Sequence, residues 1–252
     1  MKKYIILFLL MFAVQAHAGG ILMMGGKAPT AAAKYCDGKS VLACEDLEGS
    51  SSCYSGYSSN CRSAVSDLSC PSGTIAFNST PIEGTYSLLL TPNTTNYCII
   101  EYAFTAFSPF YIAYVMKTPA SFALDTYENS MIAILYDSPG GSNLCNLAIY
   151  KDGAGNHYWS VTDGSGNTTG NVAITTATTY YHWLEYTKGA GNGVCNLYVS
   201  ANTTKPGSAT VSVTNGTSNS NIGALVIGAM NNHLSSLRVD NIQVNSSAIG
   251  NQ

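Results

Sequence analysis

From Thr74 to Val244 the chain reads as a succession of short runs in which apolar and polar residues alternate. "TIAFN", "YSLLLTP", "YCIIEYAFTAF", "FYIAYVMKT", "SMIAILYD", "NLAIYKD" and "YWSVTD" are followed by "VAITT", "YYHWLEYTK", "VCNLYVSA", "ATVSVT", "ALVIGAM" and "LRVDNIQV". All are rich in β-branched and aromatic residues, and Gly, Asn, Asp, Pro and Ser fill the gaps. "DGAGN", "DGSGN" and "KGAGNG" are hairpin turns that need residues tolerant of positive φ. No window sustains a helical period. The pattern predicts an all-β protein built as a sandwich or barrel. One run breaks its own rule. In "SLRVDNIQVN" Leu237 and Val239 share one parity, and Ile242 and Val244 share the other. A slip of one residue turns a strand inside out unless a β-bulge absorbs it, so a bulge is expected at Asp240–Asn241.

The N-terminal stretch follows different rules. Lys2 and Lys3, the apolar run Tyr4 to Val14 and the small-x-small site Ala16-His17-Ala18 read as a secretory signal peptide over 1–18, cleaved near Ala18. The run is too short to span a bilayer, and no other segment is long enough to do so. Residues 19–40 read as an N-terminal arm, 41–246 as the sandwich domain with a Cys-rich loop at 50–73, and 247–252 as a tail.

Composition narrows the ligands. Charged residues make up only 10% of the chain, with a formal net charge of −3, and Arg62 and Arg238 are the sole arginines. Nucleic acid and acidic polysaccharides require clustered Arg and Lys, so neither is expected as a main ligand. A surface of Ser, Thr, Asn, Gly and Tyr suits neutral, hydroxyl-rich ligands, and it is also what an ordinary extracellular surface looks like. Eight cysteines, Cys36, Cys44, Cys53, Cys61, Cys70, Cys98, Cys145 and Cys195, form an even set in an exported chain and are expected to be disulfide-bonded within it. Zinc is disfavoured, because no Cys-x-x-Cys occurs and no His stands at ligand spacing. Connectivity does not follow from sequence. Cys145 and Cys195 both open "CNL" strands and are the one pair suggested.

Three landmarks in order carry a family resemblance: "CEDLEGSS" at 44–51, "IEGTYSLLL" at 82–90, and "TTYYHWLEYTKGAGNGVCNLYVS" at 178–200 followed by "LRVDNIQV". The set resembles the concanavalin A-like lectin/glucanase superfamily, closest to its laminin G-like jelly-roll domains, over roughly residues 41–246. The resemblance implies a two-sheet antiparallel jelly roll with first and last strands adjacent. It also implies a structural Ca²⁺ at that junction, with Asp46 or Glu48 and Asp240 as matching ligands. The chemistry is consistent, since Ca²⁺ takes carboxylate, carbonyl and amide oxygens and a bulge frees carbonyls from the ladder. The plainer alternative is that Asp240 and Asn241 form a kink hydrogen-bonded to neighbouring backbone.

Catalytic sets are harder to assemble. The glucanase branch of the superfamily carries Glu-x-Asp-x-x-Glu on one strand; "CEDLEG" is nearest in shape but lies beside the cysteine cluster. Glu101 and Glu185 are single carboxylates on separate strands, useful only if they face each other at the spacing glycoside hydrolysis needs. For a lyase, only Lys117, Tyr114, Tyr180 and His182 come to hand. No catalytic residue is assigned. The expectation is a secreted, lectin-like module for neutral glycans, with Tyr114, Trp159, Tyr181 and Trp183 stacking on sugar rings. On "YYHWLEY", Tyr181, Trp183 and Glu185 share one face and Tyr180, His182, Leu184 and Tyr186 the other, and one of these must be core. Two alternatives stand beside this reading. One is an extracellular structural or adhesive subunit that self-assembles through its sandwich and N-terminal arm. The other is a glycoside hydrolase or polysaccharide lyase of the same fold.

Overall fold

The computed structural model of the protein describes residues 43–45, 65–71, 73–78, 81–83, 87–93, 97–163, 168–216, 218–230 and 233–252. They form fifteen strands and no helix. These are β1 (Ala43–Glu45), β2 (Val65–Ser69), β3 (Thr74–Asn78), β4 (Ser87–Thr91), β5 (Cys98–Phe107), β6 (Phe110–Lys117), β7 (Asn129–Tyr136) and β8 (Asn143–Lys151). They continue with β9 (His157–Asp163), β10 (Thr168–Ala173), β11 (Thr179–Thr187), β12 (Gly193–Ser200), β13 (Val211–Gly216), β14 (Ile222–Ala229) and β15 (Leu237–Asn245). Each of the thirteen runs read from the sequence overlaps one strand from β3 to β15, although "VAITT" at 172–176 shares only Val172 and Ala173 with β10, which begins at Thr168. β2 lies inside the stretch read as a Cys-rich loop: Val65–Ser69 pairs with β5 and forms an edge of the sheet. Five residues flanked by Ser and Cys carry too little alternation to announce a strand.

All pairings are antiparallel. The first sheet runs β13-β12-β11-β6-β15-β4-β3, with β1 also on β15, and the second runs β10-β9-β8-β7-β14-β5-β2. This is a two-sheet jelly roll. Its first and last strands are neighbours, Ala43 opposite Val244 and Glu45 opposite Ile242.

The expected bulge is present in β15. Asp240 pairs with Val115 and Gln243 with Ala113, so Asn241 and Ile242 together stand opposite Tyr114. Asn241 takes φ 50°, a left-handed conformation that Asn tolerates better than a branched residue would. The extra residue lets Leu237 and Val239 on one side of the bulge, and Ile242 and Val244 on the other, all enter the core, each no more than 1% exposed.

The inter-sheet core joins Leu88, Leu90, Ile112, Met116, Leu184 and Leu197 from the first sheet to Ile100, Leu135, Leu147, Ile149, Val161 and Leu225 from the second. Close approach is extreme at Gly228 on β14. With φ +155°, a Cβ there would meet the Cys98 carbonyl oxygen at 2.1 Å, so only glycine fits. At the β8–β9 turn "DGAGN", Gly155 has φ +90°, and the Asp152 carboxylate accepts from Ala154 N at 2.9 Å and Asn156 N at 2.8 Å.

Two disulfides are described. Cys145 on β8 and Cys195 on β12 bridge the two sheets, the pair suggested by sequence, and Cys70 joins Cys98 at the start of β5. Cys36, Cys53 and Cys61 lie outside the described residues, as do residues 1–18, expected to be a signal peptide, and 19–40, expected to be an arm; Cys44 sits on β1. The inter-sheet bridge closes a loop of some fifty residues. Replacing Cys145 and Cys195 together by Ala is therefore expected to cost about 2–5 kcal/mol, read as a lower denaturant midpoint. An unchanged midpoint would mean that the bridge contributes nothing to holding the sheets together.

Candidate functional site

Strand register fixes what each face presents. On the first sheet, Tyr180, His182, Leu184 and Tyr186 of β11 turn inward. Tyr181, Trp183 and Glu185 turn outward, where they line up with neighbours on both sides. One row of this outer face reads Asn196, Glu185, Tyr111, Asn245; the next Tyr198, Trp183, Ala113, Gln243; the third Ser200, Tyr181, Val115, Asp240. Three tyrosines and a tryptophan thus form one contiguous aromatic patch, bordered by amides, hydroxyls and carboxylates.

The bulge supplies the polar corner of this face. Asp240 is fully buried. One of its oxygens accepts from Asn241 N at 2.9 Å and the other from Glu83 N at 3.2 Å, across more than 150 residues of chain. The Glu83 carboxylate in turn accepts from the Tyr181 hydroxyl on one oxygen and from the Asn241 side-chain amide on the other. Burial first, then the bond to Glu83 and the negative charges of Glu83 and Asp240, push the Tyr181 phenol well above its ordinary pKa. It is a fixed donor at neutral pH, not a base. Among the described residues, no group of three His, Cys, Asp or Glu side chains is placed to hold a metal ion. Asp46 and Glu48 lie outside the described residues, and β1 ends at Glu45, beside the bulge.

At the opposite corner Lys205, from the loop after β12, forms an ion pair with Glu185 and places its Nζ 4.4 Å from the centroid of the Tyr198 ring. Burial, then the charge of Glu185, raises the Tyr198 phenol, which also remains a donor.

The four aromatic residues expected to stack on sugars separate. Tyr181 is half-buried on the outer face. Trp183 shares that face but is only 1% exposed, because the chain after β15 returns across it. Tyr114 and Trp159 are corrections to the sequence reading: both are fully buried between the sheets, with no ring face open to a ligand. They pack around His182, itself fully buried, with Tyr114 stacked on the imidazole at 5.0 Å and Trp159 edge-on at 4.6 Å. Both imidazole nitrogens, the Tyr114 hydroxyl and Trp159 Nε1 lack a hydrogen-bond partner among the described residues.

The catalytic sets entertained from sequence do not assemble. Glu185 lies on the outer face of the first sheet. Glu101 belongs to the second, where it alternates with the core residues Ile100 and Tyr102. The two therefore cannot face each other across one cleft. Tyr114, Tyr180 and His182 face the core, while Lys117 continues the outer face of β6. Sequence reasoning missed Glu83 and Lys205. Glu83 stood in the quoted "IEGTYSLLL", but nothing local ties it to Asp240.

No protein-family model and no curated protein matches the sequence. Solved structures do. A cellulose-induced protein superposes with a TM-score of 0.54 at 15% identity, covering 83% of this chain and 99% of its own. A protein of unknown function from Shewanella oneidensis gives 0.48 at 18% identity, covering 82% and 88%. A legume lectin-like domain from Entamoeba histolytica gives 0.45 at 12% identity, covering 72% and 90%. The fold is a concanavalin A-like jelly roll.

The buried imidazole makes a pH prediction. Burial pushes the His182 pKa down to about 3, against about 6.5 for an unfolded His. The unfolded chain takes up the proton first, so stability is complete above about pH 6.5 and falls as pH drops from there toward 3. His182→Phe should flatten that part of the melting-temperature profile between pH 7 and 4. An equally steep profile in the variant would show that other groups cause the acid loss.

Proposed function

We propose that the protein is a secreted, lectin-like module that binds neutral glycans on the outer face of its first sheet. The observation that carries this reading is the contiguous patch Tyr111, Tyr181, Tyr198 and Trp183, framed by Asn196, Ser200, Gln243 and Asn245. Aromatic faces stack on the apolar faces of sugar rings, and amides with protonated phenols serve the hydroxyls. The low charge of the chain agrees with a neutral ligand. The two described disulfides are compatible with an oxidising, extracellular setting, and among the described residues no helix is long and apolar enough to cross a membrane.

Titration with soluble neutral polysaccharides, a β-glucan, a mannan, a galactan and a xylan, tests the reading. At least one should bind. Tyr198→Ala and Tyr111→Ala should each weaken it by roughly two- to tenfold, the worth of one aromatic stacking contact, with melting temperature held. No binding to any of them, or binding indifferent to both substitutions, would remove the assignment.

The bulge corner also suits a structural Ca²⁺. Glu83 and Asp240 bring hard carboxylate oxygens into one half-buried corner, and the donor set fits this ion better than a softer metal. In this reading Asp240 and Glu83, with Asp46 or Glu48, hold the ion and tie the first strand to the last. A metal that binds only the folded state adds about 2.7 kcal/mol at a hundredfold excess over its dissociation constant. Chelator should lower the melting temperature by several degrees, added Ca²⁺ should restore it, and Asp240→Asn should erase the response. An identical melting temperature in metal-analysed apo and Ca²⁺-loaded protein would leave Asp240 a bulge residue bound to its neighbours.

A further inference from the structure

The segment after β15, residues 246–252, stays on the domain. It doubles back across the aromatic patch. Residues 246–248 are exposed, and Ile249 then plugs in at 8% exposure. It packs on Ala113 and Trp183 in a small apolar cluster separate from the main core, with Tyr111, Tyr181 and Tyr198 around it. The Gly250 carbonyl accepts from Trp183 Nε1 at 2.7 Å. The Asn251 side-chain oxygen accepts from Lys205 N at 3.1 Å, and Gln252 N donates to the Thr203 carbonyl at 2.9 Å. The Gln252 amide donates to the His182 carbonyl at 3.1 Å.

This segment engages the patch as a ligand would. An apolar group sits on the aromatic rings, and polar groups satisfy the indole N–H and the loop around Lys205. Yet it has no strand pairing of its own, and Ile249 is its one buried apolar side chain. Segments with few apolar contacts and exposed backbone open at low free energy. We propose that residues 246–252 form a releasable strap that occupies the aromatic patch in cis and competes with ligand for it, so that binding requires the strap to lift. This rests on the glycan-binding reading for the identity of the competitor, but not for the existence of the cover. A ligand that binds only the strap-open state has its apparent affinity reduced by the fraction open. With that fraction at or below about a tenth, removing the plug raises affinity by about tenfold or more.

Ile249→Asp in the full chain tests this, with Ile249→Leu as the variant that keeps the plug. Two readings are taken, acrylamide quenching of tryptophan fluorescence and affinity for the four polysaccharides. The chain has two tryptophans, and Trp159 in the core stays shielded as an internal reference. The strap predicts that Ile249→Asp makes Trp183 quenchable and tightens glycan binding about tenfold, while Ile249→Leu resembles the parent in both. If Trp183 remains shielded in Ile249→Asp, the strap does not depend on its plug and the proposal is overturned. It is equally overturned if Trp183 opens while a glycan that the parent binds gains no affinity. If Trp183 opens in Ile249→Asp alone and no protein binds any polysaccharide, the glycan reading fails and the releasable cover stands.

Discussion

The one-residue slip in β15 is the constraint on which the rest of the molecule depends. β15 is central to the first sheet and hydrogen-bonds to β6, β4 and β1. Its two apolar halves are out of phase in the sequence, and burying both requires one extra residue between Asp240 and Gln243. The bulge therefore follows from the core. Its by-product is chemical: Asp240 already faces outward by alternation with Val239, and the kink leaves Asn241 in a left-handed conformation from which its backbone N–H donates to Asp240 and its side-chain amide to Glu83. Packing on one side of the strand thus sets the polar corner on the other.

The two faces of the first sheet divide its aromatic residues between the inter-sheet core and an outer patch. Inward-facing Tyr114 and Tyr180 join Trp159 around the neutral His182. Four polar atoms there have no partner among the described residues, a cost that the surrounding dispersion contacts must offset. The inter-sheet disulfide fixes the spacing of the same two layers. Outward-facing Tyr111, Tyr181, Trp183 and Tyr198 instead lie beneath a segment held by hydrogen bonds and one isoleucine. The core cluster is buried from both sides, whereas the outer patch is covered from one side by chain that has no sheet partner.

Much of the fold was legible because period-two alternation is a direct consequence of strand geometry. Every run from "TIAFN" to "LRVDNIQV" overlaps a strand, "VAITT" only at its first two residues, and the parity slip located the bulge. The choice between faces of "YYHWLEY" was not legible, since both parities carry aromatic residues; the register of β11 against β6 and β12 decides it. Trp159 illustrates the same limit: a bulky aromatic on an alternating strand reads alike whether it faces a ligand or the opposite sheet. Glu83 escaped notice for another reason. Its role depends on a contact with Asp240 across most of the domain, and local pattern carries no information about such contacts. Val65–Ser69 escaped notice because "VSDLS" does not alternate and stands in a Ser- and Cys-rich stretch.

The pair Asn241→Val and Asn241→Gly tests the dependence of the fold on the slip most directly. Both keep the extra residue, but a β-branched side chain does not tolerate the φ of 50° at which the bulge holds position 241. Asn241→Gly is expected to unfold cooperatively near the parent temperature, whereas Asn241→Val should lose several degrees of melting temperature, because the bulge that lets Leu237, Val239, Ile242 and Val244 share the core then forms only under strain. An Asn241→Val variant that melts at the parent temperature would contradict this.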